Sequence, residues 1–166
     1  MSEFVQHEGA SINPDRQQGP HAHSVTIGPG NRFVYAADLG IDKLFTYELN
    51  IAEGKLTPAA SPYAQLAQGA GPRHFDIHPD GKRAYAINEL DSTITALTLD
   101  PATGALDPVQ TLPTIPGGFS GVTHCADVHV APSGRFVYGS NRGHDSIAIF
   151  AIDMSTGRLT HVDHEP

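Results

Sequence analysis

Pro29-Gly30-Asn31-Arg32-Phe33-Val34-Tyr35 returns as Pro79-Asp80-Gly81-Lys82-Arg83-Ala84-Tyr85, and again as Pro132-Ser133-Gly134-Arg135-Phe136-Val137-Tyr138. The prolines are 50 and 53 residues apart. A second turn keeps step with the first: Glu53-Gly54-Lys55-Leu56, Thr103-Gly104-Ala105-Leu106 and Thr156-Gly157-Arg158-Leu159, with glycines again 50 and 53 apart. Two separate turns on one period define a structural repeat. Periods of this length belong to solenoids and propellers.

Each repeat reads as four short strands. Val25/Phe75/Val128 and Ile27/Ile77/Val130 are apolar positions two apart, which is strand alternation. The Pro-Asp-Gly type turn follows, with Pro pre-setting one dihedral and Gly or Asn accepting a positive φ. A second strand is expected over 32–37, 82–87 and 135–140. A polar loop leads to a third strand, as in Lys43-Leu44-Phe45-Thr46-Tyr47-Glu48-Leu49. A weaker fourth strand is expected to begin near Leu56, Leu106 and Leu159. No segment of ten or more residues carries a helical period. The sequence therefore predicts an all-β chain of β-propeller blades, each a four-stranded antiparallel meander. The blades are expected over 19–70, 71–121 and 122–166. Residues 1–18 are expected to supply the outer strand of a preceding blade and a connector, because Phe4-Val5-Gln6-His7-Glu8 resembles Thr160-His161-Val162-Asp163-His164-Glu165.

Three blades form an open arc, since propellers close with four to eight. The chain is accordingly read as a fragment of a longer protein, or as a unit that self-associates through its open blade edges. Composition narrows the partners. The formal net charge is -8, with no basic run to neutralise phosphates, so nucleic acid is not expected. No apolar stretch approaches a membrane span, and the N-terminus lacks the pattern of a secretion signal. Cys125 is the only cysteine, which allows no intrachain disulfide. A cytoplasmic setting is the expectation.

In a meander the connections alternate between two faces. The Pro-Asp-Gly and Gly turns are short and generic, and they share one face. The other carries the segments entering each first strand: Gly19-Pro20-His21-Ala22-His23, Gly71-Pro72-Arg73-His74 and Val122-Thr123-His124-Cys125-Ala126-Asp127. It also carries Asp38, Asn88-Glu89 and Asn141-Arg142-Gly143-His144-Asp145. One position reads Leu39, Glu89 and Arg142 in successive repeats, which marks it as specialised. Asp38, Asn88 and Asn141 recur in step and read as turn-forming, as does Asp145, whose counterpart is Asp42. His7, His161 and His164 are expected to be solvated.

These segments, with Phe33-Val34-Tyr35-Ala36-Ala37-Asp38-Leu39-Gly40 and Asn88-Glu89-Leu90-Asp91-Ser92, resemble the lactonase-family seven-bladed β-propellers. That family includes the propeller type of 6-phosphogluconolactonase and the carboxy-cis,cis-muconate cyclases. The resemblance covers essentially the whole chain and implies three of seven blades. It implies a site of His21 or His23, Arg73, Glu89 and Arg142. The family often has Glu where this chain has Asp127, which weakens a role for that residue.

The chemistry suits these groups. Lactone opening needs a base for a water proton, which His21, His23 or Glu89 could provide. It also needs positive charge for an anionic substituent and the developing oxyanion, which Arg73 and Arg142 offer, with His74 and His144 as further substrate contacts. The expectation is hydrolysis of a small anionic lactone such as 6-phosphogluconolactone. The alternatives are a non-catalytic propeller binding module or a lactonising enzyme of the cyclase type. His21 and His23 could offer two metal ligands, but a third is not apparent, so neither metal nor cofactor is assigned.

Overall fold

The computed structural model describes residues 3–166 and contains three four-stranded antiparallel sheets, each in the sequential order of a meander. The first blade comprises β1 (Ala22–Ile27), β2 (Phe33–Asp38), β3 (Lys43–Asn50) and β4 (Lys55–Gln65). The second comprises β5 (Pro72–Ile77), β6 (Arg83–Asn88), β7 (Thr93–Leu99) and β8 (Leu106–Pro113). The third comprises β9 (His124–Val130), β10 (Phe136–Arg142), β11 (Ser146–Ile152) and β12 (Leu159–Glu165). The first strands β1, β5 and β9 lie side by side. The fourth strands are stronger than their sequence suggests: β4 runs for 11 residues, because ladder bonds to β3 hold it despite weak alternation.

The core lies between blades. Phe33, Tyr35 and Leu44 of the first sheet meet Phe75, Ala84, Ala86 and Leu97 of the second. Tyr85, Ile87 and Ile94 of the second meet Val128, Val137 and Phe150 of the third. The fully buried Ala84 and Ala86 let the sheets approach. The recurring glycine in the turn between third and fourth strands has a packing role too. Gly104 has φ +73, and a Cβ there would lie 2.7 Å from the Phe33 ring. One blade further on, the Tyr85 hydroxyl donates to the Gly157 carbonyl at 3.1 Å. In the Pro-Asp-Gly turn the Gly134 carbonyl lies 2.9 Å from His78 Nε2 of the preceding blade, so both turns that revealed the repeat are where neighbouring blades lock.

Residues 3–18 have no neighbouring blade to pair with in this chain. They form no strand. Without a partner ladder, the segment packs through side chains instead. His7 is not solvated. Its ring stacks on Phe45 at 3.9 Å, Nδ1 lies 2.5 Å from Asp38 Oδ2, and Nε2 lies 2.9 Å from the Tyr47 hydroxyl.

The following loop is tied to a buried carboxylate. Asp42 accepts from Ser11 Oγ at 2.5 Å, Gln17 Nε2 at 2.7 Å, Gly69 N at 2.8 Å and Gly71 N at 2.7 Å. It holds φ +56, and Ser92 and Asp145 hold φ +54 and +52 at equivalent positions. Asp42 thus joins the 11–18 loop, the β2–β3 turn and the entry to β5. Replacing it with Ala strands buried donors, each costing about 1–3 kcal/mol. Asp42→Ala should lose about 3 kcal/mol or more of stability; an unchanged urea midpoint would contradict this role.

Candidate functional site

A β-bulge sits at the same level of each first strand. Ala22 pairs with Asp38 and Ser24 with Ala37, which leaves His23 as the extra residue. Pro72 pairs with Asn88 and His74 with Ile87, which leaves Arg73. The β9–β10 register shifts at the corresponding level. A bulge bends the strand and re-aims its side chain. Here it directs His23 and Arg73 toward a shared mouth.

At that mouth Glu89 is the centre. It is 4% exposed and meets three guanidinium groups. Arg16 Nη2 donates to Oε1 at 2.7 Å, and Arg73 Nε donates to Oε2 at 2.7 Å. Arg142 Nη2 lies 3.0 Å from the same Oε2 and donates to the Cys125 carbonyl at 2.9 Å. Burial opposes the charged carboxylate, but the bonds and charges of Arg16, Arg142 and Arg73 outweigh it, so the Glu89 pKa is lowered. Glu89 and Arg142 occupy the same position in successive blades, and that register brings them together. Their counterpart Leu39 is simply buried.

Arg73 continues the network. Its Nη1 donates to the Ala126 carbonyl at 2.5 Å and lies 3.3 Å from His74 Nε2. A guanidinium can only donate, so His74 Nε2 accepts and its Nδ1–H donates to Asp127 Oδ1 at 2.6 Å. Asp127 has its pKa lowered: burial works the other way, but the His74 bond and the Val128 amide prevail. Asp127 therefore positions His74 despite its short side chain.

The histidines line one side. The rings of His21 and His23 are 5.7 Å apart, and those of His23 and His74 are 5.3 Å apart. His23 Nδ1 is buried without a hydrogen-bond partner. Its pKa is lowered, by burial first and by the positive charge of Arg73 next. His23 is thus neutral near pH 7, with a free ring nitrogen. Among the described residues no group of three or more His, Cys, Asp or Glu is arranged to hold a metal ion.

Two site expectations change. His144 does not join the mouth. Its Nδ1 lies 2.6 Å from Ser146 Oγ, and its ring packs edge-on against Phe119 and His164. His164 is half-buried there, whereas His161 is exposed as expected. The residue sequence reasoning missed is Arg16. It lies outside the repeats, so no comparison between blades could mark it. Asp38, Asn88 and Asn141 do brace the loops between second and third strands: Asp38 Oδ1 accepts from Gly40 N, Asn88 Nδ2 donates to Thr93 Oγ1, and Asn141 Nδ2 donates to Ser146 Oγ.

Fold and mouth together define part of a β-propeller with a cation-rich channel opening. The chain matches the family described as "Lactonase, 7-bladed beta-propeller" over residues 1–166, and it belongs to that family. It is 42% identical over 149 residues to a 6-phosphogluconolactonase of Bacillus subtilis, covering 90% of this chain and 42% of that one. It is 40% identical over 144 residues to a 6-phosphogluconolactonase of Pectobacterium carotovorum, covering 87% and 43%. Among solved structures, the periplasmic gluconolactonase PpgL of Pseudomonas aeruginosa superposes with a TM-score of 0.91 at 32% identity, covering 99% of this chain and 46% of that one. A putative 6-phosphogluconolactonase of Bacteroides fragilis gives 0.89 at 33% identity, covering 99% and 47%. The chain spans under half the length of the relatives it matches, in keeping with three blades of seven. No helix is long and apolar enough to cross a membrane among the described residues.

Glu89 carries a pH signature. Its lowered folded pKa gives stability that is complete above the unfolded value of about 4.3 and is lost as pH falls through the folded value. Glu89→Gln should cost about 2 kcal/mol at pH 7, from charge-assisted bonds. The gap to wild type should shrink below about pH 4.3. Thermal unfolding of both proteins from pH 3 to 7 checks this; a gap that widens in acid would contradict it.

Proposed function

We propose that this mouth, in the completed propeller, hydrolyses a small anionic lactone, with 6-phosphogluconolactone as the substrate. The observation that carries the reading is the juxtaposition of three guanidinium groups with a partly buried histidine kept neutral. The names of the relatives point the same way.

In the mechanism we propose, His23 takes a proton from water as the oxygen attacks the lactone carbonyl, and His21 lies beside it. Arg73 or Arg142 stabilises the oxyanion as the carbonyl π electrons move onto oxygen. Collapse re-forms the carbonyl and breaks the bond to the ring oxygen, which takes the proton held by the His23 imidazolium, so the open hydroxy acid leaves and His23 is neutral again. Glu89 is assigned to holding the arginines rather than to base work, because three cations lower its basicity. His74, oriented by Asp127, contacts the substrate. A cytoplasmic setting remains our proposal for the parent protein; the free, buried Cys125 is compatible with it.

The test is lactone hydrolysis above the spontaneous rate by the full-length protein. Arg73→Ala should lower kcat/KM about 100-fold or more, the scale of one lost oxyanion donor. Wild-type activity in Arg73→Ala would overturn the assignment. The pH profile gives an independent check. Activity requires neutral His23, so kcat/KM should hold down to about pH 6.5 and fall only below it, through the lowered pKa. That acid limb should disappear in His23→Ala.

A further inference from the structure

We infer that Arg16, supplied by the loop ahead of the first blade, is a substrate-binding residue that selects a dianionic phosphate ester over an uncharged lactone. The inference rests on the reading of the mouth as a lactone site and adds the feature that discriminates among lactones.

The first argument is charge. Arg16, Arg73 and Arg142 bring three positive charges to the single carboxylate of Glu89, which leaves two uncompensated. Asp127, set behind the His74 ring that accepts from Arg73, offsets at most one of these, so positive charge remains in excess at the mouth. A phosphate monoester carries nearly two negative charges near neutral pH. It would balance this excess, where a neutral sugar lactone leaves it whole.

The second argument is the donor count. A guanidinium has five N–H donors. Arg16 uses one on Glu89, and among the described residues its side chain has no other hydrogen-bond acceptor. Arg142 donates to the Cys125 carbonyl and approaches Glu89 through the same Nη2. Arg16 and Arg142 side chains are 38% and 52% exposed, so their remaining donors can reach an incoming oxyanion.

The third argument is construction. Arg16 is presented by a tightly knotted loop. Asn13 Oδ1 accepts the Asp15 and Arg16 amides at 3.1 Å each, and the Gln17 amide donates to the Asn13 carbonyl at 2.9 Å. The Gln17 side chain is fully buried and donates to the Leu39 carbonyl at 2.8 Å and to Asp42 at 2.7 Å. The residue next to Arg16 is thereby bolted into the blade, and little ordering entropy remains to be lost when a ligand binds.

The test compares two substrates and two products in the full-length protein. For wild type and Arg16→Gln, kcat/KM is measured with 6-phosphogluconolactone and with glucono-δ-lactone. Binding of 6-phosphogluconate and gluconate is measured by calorimetry, and thermal unfolding confirms that the variant folds. The ratio of kcat/KM between phosphorylated and unphosphorylated lactone should fall at least tenfold in Arg16→Gln, through KM. 6-Phosphogluconate affinity should fall by a similar factor, and Arg16→Lys should recover part of it. An unchanged ratio with unchanged 6-phosphogluconate affinity would overturn the role of Arg16 while leaving lactone hydrolysis standing. Arg16-dependent binding of 6-phosphogluconate without any lactone hydrolysis would support the role of Arg16 and overturn the hydrolytic reading.

Discussion

A four-stranded blade has two faces, and both must be covered by something apolar. Much of this chain follows from that constraint. Residues at one position of the first strand show it directly: Phe75 and Val128 are buried, each against the preceding sheet, whereas Val25 is 66% exposed. Small residues in the second strands let the sheets close on one another. The turn glycines fit against the ring or the arginine stem of the preceding blade. Blade packing sets the spacing and rotation of the first strands, and these in turn set the spacing of everything at the mouth.

The mouth exploits that repetition by breaking it. Equivalent positions in neighbouring blades become adjacent in space, so a change of residue type at one position becomes a pair across a joint. Leu39, Glu89 and Arg142 are one such row; His23, Arg73 and Ala126 are another; Ser24, His74 and Asp127 are a third. The bulges at the second row direct its side chains into the opening. Glu89 then works as an internal counter-ion that lets three guanidinium groups crowd into one place. With one carboxylate shared among them, the site is stable when empty and still carries an excess of positive charge.

Much of this was legible in the sequence. The period, the four strands per repeat and the two faces follow from turn residues and alternation, because those signals are local and recur three times. The Leu–Glu–Arg position stood out because the repeat supplies its own internal comparison. His144 was placed wrongly for an instructive reason. It lies in the correct loop, but a strand end and a turn at positive φ separate it from Arg142, and its ring finds Phe119 and His164. His7 was expected in solvent because the groups that enclose it, the Asp38 carboxylate and the Phe45 and Tyr47 rings, lie more than thirty positions away in sequence.

The sequence by itself determined the blade, its count and the face that carries the unusual residues, since each rests on short-range dihedral preference and strand alternation. Tertiary structure alone decided that Arg16 reaches Glu89 across 73 positions of sequence, that Asp127 orients His74, and that Glu89 is held by three cations. Charge contacts depend on distance in space, and no local pattern encodes which distant side chains the packing of blades will bring within 3 Å.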